Sequence, residues 1–268
     1  MPAERIAENL AYVNWTVLMS LALGSLAAVV LARLRTGATR GFLAFTAFCA
    51  TAFGALALAS DLGLATASEF DVPRRVALSA FVALAGAYTI ALVRRRRAPA
   101  LALAGLGAGL ATDALAALGW GADTLAAVPL LLQLLVLAAA TGGVFAAMIL
   151  GHWYLVTPKL PEAPLVLFSR LLLGVLLLQL ALFITWVGLG TGAASEPFSA
   201  LVGPWAFFVW LRLLVGLVFP IIVSWAAIQT ARSRSMESAT GLLYINVGTI
   251  AAGTILAAGL YFGAGLLV

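Results

Sequence analysis

Eight runs of apolar residues, each long enough to cross a bilayer as a helix, follow one another along the chain. They cover roughly residues 11–33, 41–61, 76–93, 99–119, 129–151, 164–188, 205–229 and 240–267. A hydrocarbon core ~30 Å thick needs about 20 residues at ~1.5 Å of rise each. The breaks between runs are short and polar. Asp61 to Arg75 contains Glu69, Asp71 and Pro73; Arg94 to Arg97 is followed by Pro99. Thr157 to Pro164 contains Pro158, Pro161 and Pro164, which cannot continue a helix. The runs are continuous rather than alternating and rich in Ala and Leu, which favours helices over a β-barrel. The fold class expected is an all-α integral membrane protein with eight transmembrane helices. Composition closes the other routes. The chain is 64% apolar and 9% charged, against ~45–50% and ~25% for soluble domains. That excludes both a water-soluble globule and a disordered chain. The longest polar break is about 14 residues, so no soluble domain is expected.

Residues 1–10 carry Glu4 and Glu8 against Arg5, and the first apolar run is too long for a cleaved leader. Odd-numbered loops and their flanks hold eleven of the 15 basic residues: Arg33, Arg35, Arg40, Arg94 to Arg97, Lys159, Arg170, Arg232 and Arg234. Even loops hold Arg74 and Arg75, offset by Asp61, Glu69 and Asp71. The positive-inside rule then makes the odd loops cytoplasmic and puts both termini outside a cell inner (plasma) membrane. The net charge of +5 needs no nucleic-acid partner; anionic membrane lipid accounts for it.

Gly24 to Arg33 aligns with Gly143 to His152, and Phe48 and Gly54 align with Phe168 and Gly174 at nearly the same offset. The expectation is two four-helix bundles, residues 1–125 and 126–268, related by a pseudo-twofold along the membrane normal, because four crossings return the chain to its starting side. Gly105/Gly109 and Gly259/Gly263 have the four-residue spacing that lets backbones approach closely, within the chain or toward a partner.

Polar residues inside the spans are costly and therefore informative. By rise counting, Asp113 in the fourth span and Arg212 in the seventh lie at similar depth, and a structural ion pair is expected between them. A second group lies near the cytoplasmic face: His152, Trp153 and Tyr154 close the fifth span, Lys159 follows, Arg170 lies early in the sixth, and Tyr244 and Asn246 open the eighth. Tyr244 and Asn246 differ by two, so only one of them faces a given site. A titratable imidazole, an arginine and phenols at one level suit a quinone headgroup, whose carbonyls need donors and whose redox chemistry needs a proton carrier. His152, Trp153, Tyr154, Arg170 and Tyr244 are the candidate cofactor-binding set. A haem b with His152 as single axial ligand, or a lipid headgroup on Arg170 and Lys159, uses the same residues.

Single Cys49 and single His152 exclude a disulfide framework, a thiolate metal cluster and bis-histidine haem. No phosphate-binding loop, dinucleotide fingerprint or H-E-x-x-H is present. The one lysine lies in a loop, which excludes a retinal Schiff base. Eight spans in two halves with short loops look like the membrane subunits of polysulfide-reductase-type enzymes, a likeness of architecture that no sequence motif carries. The function expected is a membrane subunit of a respiratory or other redox complex, not catalytic alone, offering a quinone site to partner subunits. The alternatives are a small-solute or ion transporter using Asp113, Arg212, Gln133 and Gln179, and a structural or assembly subunit using its Gly-rich faces.

Overall fold

The structure, a computed structural model, describes residues 1–157, 160–193 and 196–268. A short helix α1 (Pro2–Glu8) leads into the spans α2 (Leu10–Arg35), α3 (Arg40–Leu62), α4 (Asp71–Val93), α5 (Pro99–Trp120), α6 (Thr124–Val156) and α7 (Ala163–Leu189). The seventh span is compound: α8 (Ala206–Leu213), a π-helical segment Leu214–Val218 and α9 (Phe219–Arg232). The last span is α10 (Met236–Ala264). Among the described residues eight helices are thus long and apolar enough to cross a membrane, and the protein is a multi-pass, all-α membrane protein. Among the described residues the only β-type pairing is one isolated bridge, Gly192 to Leu266.

Helices α2 to α5 pack as neighbours in sequence order, and so do α6, α7, α9 and α10. Between the groups, α2 lies along α6, α2 also meets α10, and α5 also meets α6. Glycine permits the central crossing. A Cβ on Gly24 would collide with the Ala138 carbonyl and lie 2.9 Å from the Gly142 Cα, and one on Gly142 would run into Gly24. Removing these side chains lets the two backbones touch, which is how close packing replaces the hydrophobic effect in lipid.

The other glycine pairs are also consumed inside the molecule. Gly105 and Gly109 meet Leu26, Leu23 and Phe81, while Gly259 and Gly263 are covered by Ile6 of α1 and by Trp205. Both pairs are covered by this chain's own side chains.

We call the side that holds both termini the terminal face and the opposite side the arginine face. At the terminal face, α3 and α4 are locked by charge. Arg74 donates from Nε to Asp61 Oδ2 at 2.8 Å and from Nη2 to Asp61 Oδ1 at 3.2 Å. Its Nη1 reaches Asp71, and its guanidinium carbon sits 4.8 Å over the Trp120 ring. Arg75 adds Nε to Asp61 Oδ1 at 2.9 Å. Arg74 and Asp61 are both fully buried. Two acids balance two bases, so this network holds charge in the bundle without leaving any unpaired.

Candidate functional site

The residues expected to form one cytoplasmic-side site do not converge. His152 and Arg170 are exposed on the outside of the bundle, and Tyr244 is 50% exposed. Trp153 packs on α3, with its ring against Gly41 and a centroid 6.3 Å from Phe45. Tyr154 is 3% exposed, and its phenol donates to the Pro161 carbonyl at 2.6 Å, pinning the following loop. Among the described residues no side-chain hydrogen bond or ring contact joins any two of the five. Lys159 lies outside the described residues. A haem ligated by the exposed His152 would sit outside the helices. Sharing a membrane level did not mean sharing an azimuth. Of the pair Tyr244 and Asn246, it is Asn246 that turns inward and is fully buried.

The expected Asp113–Arg212 ion pair is also absent among the described residues. Both side chains are buried, but α5 carries Asp113 in the first group while Arg212 points into the second. Arg212 Nη2 donates to Gln179 Oε1 at 2.9 Å, and Nη1 donates to the Gly216 carbonyl at 3.2 Å. Its Nε has no partner.

Why Arg212 bonds that carbonyl follows from Pro220. In a regular helix the Gly216 carbonyl accepts from the N–H of residue 220, which proline lacks, and the proline ring crowds that carbonyl. The helix responds with a π turn: the Phe219 N–H bonds the Leu214 carbonyl, five residues back. The Gly216 carbonyl, denied the residue-220 N–H, accepts from the guanidinium one turn upstream. Gly216 and Gly253 make room for it, since a Cβ on Gly253 would lie 2.8 Å from Arg212 Nη1. The result is a buried cation held by an amide and a backbone carbonyl, with no carboxylate in an ion pair with it among the described residues.

Around it runs a polar track between α6, α7, the seventh span and α10. Gln179 Nε2 donates to the Val136 carbonyl at 2.7 Å. Gln133 Nε2 donates to the Ala257 carbonyl at 3.4 Å, and Gln133 Oε1 is buried without a partner. Thr141 and Thr254 share a hydrogen bond of 2.7 Å. Asn246 Nδ2 donates to Ser224 Oγ at 2.8 Å and to the Pro220 carbonyl at 3.3 Å, leaving Asn246 Oδ1 unpartnered. From Ala257 to Asn246 the track spans about 16 Å by helix rise.

A cavity of about 760 Å³ opens above this track at the terminal face, walled by Trp120, Pro129, Thr191, Tyr261, Phe262 and Leu267. Two of its wall residues, Pro129 on α6 and Tyr261 on α10, stand one turn above Gln133 and Ala257, which share a hydrogen bond. Tyr261 donates its phenol to the Trp120 carbonyl at 3.0 Å and holds that wall. Chemically, the arrangement is an aromatic vestibule, a layer of neutral donors and acceptors, and a single uncompensated positive charge below them. Among the described residues no group of three metal-ligating side chains exists.

Sequence reading named Arg212, Gln133 and Gln179 but missed the vestibule and the π turn. Pro220 two turns after Arg212 was the available signal. The Asp61–Arg74–Asp71 network was also missed as a unit. Comparison with protein-family models, with curated proteins and with solved structures finds no match for this chain.

Proposed function

We propose that the protein is a small-solute transporter whose solute is an anion, with the terminal-face cavity as entrance and Arg212 as the binding station. The observation that supports this reading is the guanidinium itself. A charge within a membrane span is expensive and is expected to serve a pathway or a partner. Arg212 is buried, has a free Nε–H and has no acid in an ion pair with it, so a small anion would supply the missing counter-charge. Neutral side chains between vestibule and station can carry an anion's hydrogen bonds without trapping it, as conduction requires. The test is flux into liposomes containing this protein alone, with chloride, nitrate, formate and thiocyanate as probes. Uptake of at least one anion, abolished in Arg212→Gln and partly kept in Arg212→Lys, is the expected result. No flux of any of them, or equal flux in Arg212→Gln at equal reconstitution, overturns the reading.

A second reading, a quinone-binding subunit of a redox complex with partner subunits, is supported by a different feature. An apolar crevice of about 330 Å³ between α2, α6 and α7 is lined by Gly24, Ala28, Leu31, Gly143, Phe168 and Leu171. One turn further along α2 and α7 a second crevice is lined by Arg35, Thr36, Pro161 and Leu167. A prenyl tail suits the first and a carbonyl-bearing headgroup the second. Protein purified from native membranes should then carry extractable isoprenoid quinone and a redox subunit; finding neither removes this reading.

A further inference from the structure

We propose that the cavity between the arginine-face ends of α2, α3 and α4 binds the phosphodiester headgroup of an anionic phospholipid. The cavity, about 290 Å³, is lined by Arg33, Arg40, Arg95, Arg96 and Arg97. These come from three separate chain segments: the last turn of α2, the first residue of α3 and the turn after α4. Leu43 and Leu92 supply its apolar wall.

Three observations carry the assignment. First, none of the five arginines takes part in a salt bridge; the described ion pairs use Met1, Arg74, Arg75 and Arg234 instead. Five like charges around one small volume repel one another until an anion enters. Second, the turn that ends α4 places three of them together. The Arg95 N–H bonds the Leu92 carbonyl and the Arg96 N–H bonds the Ala91 carbonyl, closing the helix with Arg95 at φ +62°. Arg95, Arg96 and Arg97 then line one cavity with Arg33 and Arg40. Third, the basic residues nearby are sorted. Arg35 lines a different crevice, and Arg94, exposed like Arg95 to Arg97, lines neither. Charge bias across a membrane would not by itself produce this convergence.

A phosphodiester fits because guanidinium groups grip its oxygens in pairs, and basic pockets between span ends are the expected seats of acidic lipid headgroups. The leucine wall and the position at the span ends favour a lipid over free phosphate. The site is independent of the transport station and of the α2/α7 crevices.

The experiment is native mass spectrometry of the full chain in detergent, supplied with equal phosphatidylglycerol and phosphatidylcholine. The wild type should retain phosphatidylglycerol selectively. R33Q/R40Q/R96Q should lose that selectivity, at about fivefold per arginine, or roughly a hundredfold in all. R35Q/R94Q/R232Q, which removes the same charge elsewhere, should keep it. If the site triple does not purify, R96Q alone, at an exposed position, should lose about fivefold. Equal loss in both triples, equal retention of the two lipids by the wild type, or unchanged retention in R96Q overturns the proposal. Displacement of the lipid by millimolar inorganic phosphate would make this a phosphate site and overturn the lipid assignment.

Discussion

The link between Arg212 and Pro220 can be measured without knowing what the protein carries. Replacing Arg212 with Met removes the side-chain donor from two acceptors, Gly216 O and Gln179 Oε1. An orphaned buried acceptor costs ~1–3 kcal/mol. The same change also removes a charge buried in a membrane span, which costs up to ~2.5–3.5 kcal/mol, the insertion-scale value for a helix centre. The two terms oppose each other, so the single variant alone decides nothing. A double-mutant cycle with Pro220→Ala isolates the one term of interest. With Ala at 220, the backbone gains an N–H four residues after Gly216, and the Gly216 carbonyl is satisfied whether or not Arg212 is present. Arg212→Met in that background should then be milder than in the wild type by the worth of one hydrogen bond in a membrane protein. Measured couplings of that kind average ~0.6 kcal/mol and reach ~1.7 kcal/mol. We expect a coupling of about 1 kcal/mol, with the wild-type background suffering more. Reversible unfolding in mixed micelles, followed by far-UV circular dichroism, gives the four stabilities. Additivity within ~0.3 kcal/mol, the range of independent sites, would show that the guanidinium does not stand in for the missing N–H.

Other outcomes follow from the packing. Arg74→Met leaves Asp71 without its arginine and Asp61 with Arg75 alone, and should cost about 3–5 kcal/mol in the same unfolding assay; a loss below ~1 kcal/mol would mean water reaches the network. Gly24→Ala drives a methyl group into the backbone of α6 and should cost at least the ~1–3 kcal/mol of an overpacked core, whereas Gly107→Ala, with nothing within 4 Å of the new methyl, should change stability by less than ~0.5 kcal/mol. In a Cys49→Ala background, Asp123→Cys should be labelled from outside intact cells and Arg95→Cys only after the membrane is opened, as the arginine bias requires.

The span positions were legible because twenty-residue apolar runs have few alternative fates. Their ends were less so, for local reasons. The third span starts at Asp71 and not near residue 76, because Asp71 accepts from the backbone N–H groups of Ala67 and Ser68 at 2.8 and 2.7 Å while also holding Arg74. Charged residues that look like loop are therefore wound into the helix and buried. The fifth span starts at Thr124 because Asp123 caps it, accepting from the Ala126 N–H at 2.7 Å. A hydropathy reading places both starts too late, since it counts such residues as solvent-facing.

The two misreadings of site residues share one cause. Depth in a membrane follows from counting residues, but azimuth follows from which neighbour a helix packs against. Asp113 and Arg212 were matched by depth alone. Their rotation is set elsewhere: for α5 by Gly105 and Gly109 closing on Leu26, Leu23 and Phe81, and for the seventh span by Gly216 meeting Gly253. In a chain dominated by Ala, Leu and Gly, most faces of a helix look alike to a periodicity argument. The same blindness placed His152, Arg170 and Tyr244 in one crevice when their helices present them to the surface. What the sequence did hold was a conditional rule. A proline inside a span leaves a carbonyl four residues earlier without its donor, and a lone arginine one turn above that carbonyl can reach it. Arg212, Gly216 and Pro220 satisfy that rule at spacings of four and four. Read this way, the buried arginine needs no distant acid to explain its place, and its Nε–H is a buried donor that no protein atom among the described residues has claimed.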